Sequence, residues 1–166
     1  MATPSLPLWE AALLETAIQA CRYALEETGS LPPLVVAAGD REARLFQLRG
    51  WTPRSKLTLM REVGRQAAAL RPRWVALIAD AYFKEGNMAQ LPPWPLAEDP
   101  EARDALTVII MDRQGRTAIH VCPYRRLPSP EGARLLWEDP VAMPPGARAE
   151  ATLLQTFWEA VEEASR

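Results

Sequence analysis

Apolar positions recur with a helical period in some segments of this chain and with a strand period in others. Leu14, Ile18, Cys21 and Leu25 follow at spacings of four, three and four, and Leu13, Ala17, Ala20 and Ala24 widen the stripe. A first helix is therefore predicted over residues 8–28, with Pro7 suiting its first turn and Gly29 its C′ position. Residues 34–38 are a short apolar run, residues 39–42 have the composition of a reversal, and residues 43–49 resume, which predicts a hairpin. Thr52 as N-cap and Pro53 as first helical residue predict a second helix, with Leu57, Met60, Val63, Ala67 and Leu70 on one face. It ends near Arg71-Pro72.

Residues 74–83 form the longest apolar run and predict a central strand. Gly86, Asn87, Pro92, Pro93, Pro95 and Pro100 mark residues 84–104 as a long acidic loop. Strands over 106–112 and 117–123 follow, joined by Asp112-Arg113-Gln114-Gly115-Arg116, with Asp112 placed opposite Thr117. Residues 123–147 read as a second Pro-rich loop holding one short apolar piece, 134–137, as an edge strand. Residues 148–164 close the chain as a helix, with Leu153 or Leu154, Phe157, Ala160 and Val161 turned inward.

Two hairpins demand antiparallel pairing, so the fold class is α+β. It is one domain over 1–166, an antiparallel sheet of about five to six strands with helices packed on it. A length of 166 residues and 18.5 kDa supports one core without metals or disulfides. The order helix, two strands, helix, three or four strands, helix resembles the roadblock and profilin-like modules, whose core runs α-β-β-α-β-β-β-α. That resemblance is one of topology and implies no site residue. Ile78-Ala79-Asp80-Ala81-Tyr82, the Pro-rich acidic loop and residues 98–106 also look like a pattern in uncharacterised bacterial and phage proteins. It implies a phage or host accessory protein and no particular activity.

Strand alternation sorts side chains by face. Val75, Leu77, Ala79, Ala81 and Phe83 share one face of the central strand; Trp74, Ala76, Ile78, Asp80 and Tyr82 share the other. With Asp112 opposite Thr117, Val108 and Ile110 go with Ile119 and Val121, while Thr107, Ile109 and Met111 go with Ala118, His120, Cys122 and Tyr124. The first set is the core under the helices. The second is too apolar to face water, and three covers are open: the Pro-rich loops, a second copy of the chain, or a ligand.

That second face carries the chain's one catalytic candidate, Asp80 with His120, Cys122 and Tyr124. Cys122 is the nucleophile of that reading, His120 its base and Asp80 the group that orients the imidazole. The bland reading is a part-buried histidine beside an inert cysteine, and it is the one preferred. One histidine and two cysteines exclude the common zinc sets, and Asp99, Glu101 and Asp104 lack the EF-hand pattern for Ca²⁺, so no metal is expected. No phosphate-binding glycine motif occurs, and no cofactor is expected.

Charge adds one feature. The net charge is −2, yet residues 40–73 hold nine cations against three acids, a local +6 that leaves −8 for the remainder. Arg54, Arg61 and Arg65, spaced by seven and four, form one stripe on the second helix. The stripe suits phosphates or an acidic partner surface. Without aromatic interleaving, no measurable duplex-DNA binding is expected at physiological salt. Trp94, within Pro92-Pro93-Trp94-Pro95, is either a docking tryptophan or a cap folded over the second sheet face.

Arginine in place of lysine, few asparagines and many prolines point to a GC-rich, thermophilic source, a bacterium or its phage. No 18-residue apolar run or signal peptide is seen, so no membrane is expected, and two cysteines make a cytoplasmic setting the default. The leading functional reading is a non-catalytic interaction or binding module that forms a homodimer. The alternatives are a small hydrolase or transferase using Asp80, His120 and Cys122, and a weak polyanion binder using the arginine stripe.

Overall fold

A computed structural model describes residues 6–83, 103–130, 132–142 and 151–166. The chain runs α1 (Leu8–Thr28), β1 (Leu34–Ala38), β2 (Ala43–Gln47), α2 (Lys56–Ala67), a single 3-10 turn (Ala68–Leu70) and β3 (Trp74–Phe83). It continues through β4 (Arg103–Asp112), β5 (Thr117–Ser129), β6 (Gly132–Trp137), β7 (Val141–Ala142) and α3 (Ala151–Ala164). All strand pairs are antiparallel, in the order β2-β1-β3-β4-β5-β6, with the two-residue β7 beside β5. The fold is α+β, and the element order is close to the one expected, with the short β7 making seven strands where five to six were expected.

α1 begins after Pro7 and stops where Gly29 turns left-handed at φ 74°, its N–H returning to the Leu25 carbonyl at 2.8 Å. α2 starts later than Thr52-Pro53 predicts. Ser55 occupies its N-cap, because Thr52 and Ser55 close a turn first: the Ser55 hydroxyl donates to the Gly50 carbonyl at 2.6 Å, and the Ser55 N–H donates to the Thr52 hydroxyl at 3.1 Å.

The β4–β5 turn corrects the expected register. The Asp112 backbone N–H donates to the Arg116 carbonyl at 3.0 Å, so Arg116 rather than Thr117 stands opposite it. Asp112 Oδ1 accepts the N–H groups of Gln114 and Arg116, and Gly115 takes φ 83°, which closes a three-residue loop. A one-residue slip turns every side chain of a strand to the other face. Val108 and Ile110 therefore lie with Cys122 and Tyr124, and Ile109 and Met111 with Ile119.

Among the described residues the second sheet face is covered by α1, a cover that the sequence did not suggest. Leu14, Ala17, Cys21 and Leu25 pack on Val36, Ala38, Trp74, Ala76, Ile78, Leu106, Val108, Ile110, Cys122 and Tyr124. The opposite face meets α2 through Met60, Val63 and Ala67 and α3 through Leu153, Leu154, Phe157 and Val161. Each end of α1 is tied to the sheet by an indole. Glu10 in the first turn is fully buried, accepting from Trp74 Nε1 at 2.8 Å and from Arg73. Glu26 near the last turn accepts from Trp137 Nε1 at 2.6 Å.

Residues 123–129 are strand rather than the start of a loop. Between Tyr124↔Trp137 and Val121↔Val141 the β6–β7 side has three residues and β5 has two, which is a β-bulge. The Pro123 carbonyl accepts the Glu138 N–H at 2.9 Å, so the donor that proline lacks falls at the bulge, where no ladder bond is lost. β6 is the expected edge strand. Of the expected loop 84–104, Arg103 and Asp104 open β4, and residues 84–102 lie outside the described residues, as do residues 143–147.

α2 and α3 meet at Gly64. A Cβ there would stand 2.5 Å from the Phe157 carbonyl oxygen and 2.8 Å from Ala160 Cβ, both less than real Cβ contacts allow. The two helices approach this closely because position 64 has no side chain. Gly64→Ala is expected to lose about 1–3 kcal/mol through overpacking, despite alanine's better helix propensity. Urea unfolding of the variant beside wild type measures this, and an unchanged or raised midpoint would mean that the helices part without cost.

Candidate functional site

Beyond the last turn of α1, the even-numbered face of the sheet becomes polar. Asp80 on β3, Asp104 on β4, and Tyr124 and Arg126 on β5 share this face, because β4 pairs Leu106 with Asp80 and Asp104 with Tyr124. The Tyr124 hydroxyl donates to Asp80 Oδ1 at 2.5 Å and accepts from Arg126 Nη2 at 3.2 Å. Arg126 also stands 3.8 Å from Asp80 Oδ2 and 3.6 Å from Asp104 Oδ2.

Trp137 closes this cluster on one side, its ring centroid 5.0 Å from that of Tyr124. Arg22 of α1 lies 4.4 Å over the same indole. Burial pushes the Asp80 carboxyl up, opposed by the Tyr124 hydrogen bond and by Arg126, while Asp104 adds to the rise. Burial also pushes the Tyr124 phenol up, and the hydrogen bond to Asp80 and the charge of that carboxylate push it further. The Tyr124 phenol is protonated at neutral pH and donates to the Asp80 carboxylate. The network satisfies itself: two carboxylates share one guanidinium and one hydroxyl.

His120 and Cys122 are not part of it. Cys122 is separated from Asp80 by Leu106, two strand spacings or roughly 10 Å of backbone away. It is buried under α1, and burial pushes its thiol up, with Arg22 lowering and Glu15 raising it. His120 stands between Val108 and Ala142, is exposed, and its ring has no hydrogen-bond or ion-pair partner among the described residues. The structure thus joins Asp80 to Tyr124 and leaves His120 and Cys122 outside, so the relay Asp80–His120–Cys122 is not assembled. The two members that sequence reasoning missed are Asp104, taken for loop, and Arg126, hidden behind Pro123; alternation carried back along β4 places the first, and alternation carried through that proline places the second.

The arginine stripe also divides. Arg54 is exposed in the turn before α2, and Arg61 is exposed on the helix. Arg65 lies 3.6 Å from Glu62 and lines an open groove with Arg71 and Arg113, which Arg54 and Arg61 do not reach. Trp94, Asp99 and Glu101 lie outside the described residues. Among the described residues no group of three or more His, Cys, Asp or Glu is arranged to hold a metal ion, and no helix is long and apolar enough to cross a membrane.

Comparison with known protein families, curated proteins and solved structures finds no match.

Both thiols are buried, and burial pushes Cys21 up to about 11 from an ordinary 9.0. Native protein at pH 8 is expected to react slowly with a thiol reagent and to release both thiols rapidly in denaturant. Since the folded value of Cys21 exceeds the unfolded one, its contribution to stability is complete below pH 9 and is lost as pH rises toward 11. Rapid native modification of Cys122 near neutral pH would instead mark a reactive thiolate.

Proposed function

We propose that this chain is a non-catalytic interaction module that pairs with a second copy of itself through β2, in a cytoplasmic setting. The observation that carries the reading is the outer edge of β2. It is the first strand of the sheet, and among the described residues nothing pairs with its outer side. Leu45 at its centre is 52% exposed. An unpaired edge offers a row of backbone donors and acceptors to another strand.

A two-fold pairing centred on Leu45 sets Arg44 of one copy against Phe46 of the other and Ala43 against Gln47, so no like charges oppose within the strand. The apolar faces need no partner, because the helices cover them; association is left to the edge. Two features support a non-catalytic role. The Asp80 carboxylate is engaged by Tyr124 and Arg126, and Cys122 is a buried thiol with a raised pKa.

Light scattering after size exclusion tests the proposal. The expected mass at micromolar concentration is about twice 18.5 kDa. Leu45→Glu, which brings two carboxylates together at the two-fold axis, is expected to return the monomer mass with unchanged circular dichroism. A wild-type mass of 18.5 kDa, or a dimer indifferent to Leu45→Glu, overturns it.

A further inference from the structure

We infer that the groove between α2, the 3-10 turn, the β4–β5 turn and the end of α3 binds a small phosphorylated molecule. The open groove has a volume of about 690 Å³, within the range of small-molecule sites. Arg65, Arg71 and Arg113 line it over a floor of small apolar side chains that includes Ala68, Ala69 and Ala164, and among the described residues no carboxylate lines it.

Each arginine is delivered by a different element, and two of the three are held by turns. Arg71 ends the 3-10 turn with φ 50° and ψ 62°, the one non-glycine residue at positive φ among the described residues. That conformation is costly for a side chain with a Cβ, and the following Pro72 favours an extended residue before it. The strained backbone is fixed from two sides. The Arg71 N–H donates to the Ala68 carbonyl at 3.0 Å, and Gly39 is packed so closely on the Leu70 carbonyl that no Cβ fits between them. A glycine at 71 would meet the same backbone demand without strain, yet an arginine stands there and reaches the groove.

Arg113 sits in the three-residue β4–β5 loop. Its N–H donates to the Arg73 carbonyl at 3.1 Å, while the Asp112 carboxylate is taken by Arg116 at 2.5 Å and leaves Arg113 uncompensated. Among the described residues Arg71 and Arg113 have no ion-pair partner, and Arg65 has only the solvated Glu62 at 3.6 Å.

Three planar guanidinium groups around one apolar floor repel one another until an anion enters. A monocarboxylate would neutralise one of them. A diphosphate or triphosphate group carries enough charge and enough oxygen atoms to accept forked hydrogen bonds from all three. The convergence of the arginines on one groove, rather than along a track, favours a small ligand over a nucleic-acid backbone. A purely structural explanation also exists: α3 has no basic residue in its last turn, so the arginines would supply positive charge to its C-terminal carbonyls. The two explanations separate on substitution.

This inference goes beyond the dimer reading and uses none of its residues, so either can fail alone. The test is isothermal titration with pyrophosphate at low chloride concentration. Saturable binding with one pyrophosphate per chain, weakening as salt rises, is expected. Arg113→Ala and Arg71→Gly should each weaken it at least tenfold, and Arg54→Ala, outside the groove, should leave it unchanged. Arg71→Gly also relieves the positive φ, so its melting temperature should hold or rise while binding falls. Duplex DNA should bind no more tightly than pyrophosphate. The inference is overturned by absence of saturable heat at millimolar pyrophosphate. It is equally overturned by undiminished binding in Arg71→Gly and Arg113→Ala, by an equal loss in Arg54→Ala, or by tighter DNA binding lost with Arg54→Ala. A fall in the melting temperature of Arg71→Gly without any pyrophosphate binding would assign the arginines to the end of α3.

Discussion

A carboxylate with no exposure to water holds the layer that closes the sheet. β3 and β4 are largely apolar on both faces, so neither face can be left to solvent, and among the described residues α1 is the helix that closes the second face. The stripe on α1 includes small side chains, Ala17 and Cys21 among them, and specifies only loosely where the helix lies. Glu10 supplies the position. Buried without partners, an ionised carboxylate would be prohibitively costly. It is satisfied only where Trp74 Nε1 and the Arg73 guanidinium converge, at the start of β3. Arg73 is bound in turn to Asp40 at 3.1 Å, which links the β1–β2 turn to the same point. At the other end Trp137 and Glu26 repeat the arrangement, so α1 is positioned along its length by two indole–carboxylate contacts.

This placement determines which polar groups can be sites. α1 buries Cys122, and the chain beyond its last turn leaves room for Asp80, Asp104, Tyr124 and Arg126 to meet. One guanidinium and one hydroxyl hold the two carboxylates together. The groove beside α3 is the opposite case, with like charges brought together and, among the described residues, no carboxylate in its lining to answer them. A network closed on itself holds structure together, whereas unanswered charge calls for a partner from outside.

Much of the fold was legible in the sequence. α1 and β3 have the expected bounds, because a four-three-four stripe with a glycine stop and a long apolar run between polar ends are strong local signals. The register of β4 on β5 was not legible. From Ala105 to Met111 every residue except Thr107 is apolar, so alternation could not tell one face from the other, and the side chain of Asp112 decided the turn. β5 was cut short at Pro123, since sequence cannot reveal that a bulge in the opposite strand accommodates the missing donor. Nor does a helical stripe say which sheet face it will cover, and so α1 was not matched to the second face. Asp80 and Tyr124 were placed on one face by alternation; Asp104 and Arg126 required the full length of β4 and β5.

The claim that the Glu10–Trp74 contact positions α1 is tested most directly by a double-mutant cycle. Stability to urea would be measured for wild type, Glu10→Leu, Trp74→Phe and the double variant. A hydrogen bond to a buried charged group predicts a coupling energy of about 1.5 kcal/mol or more, with the double variant less destabilised than the sum of the single ones. Additive effects, with coupling indistinguishable from zero, would contradict it and leave α1 held by its apolar stripe alone.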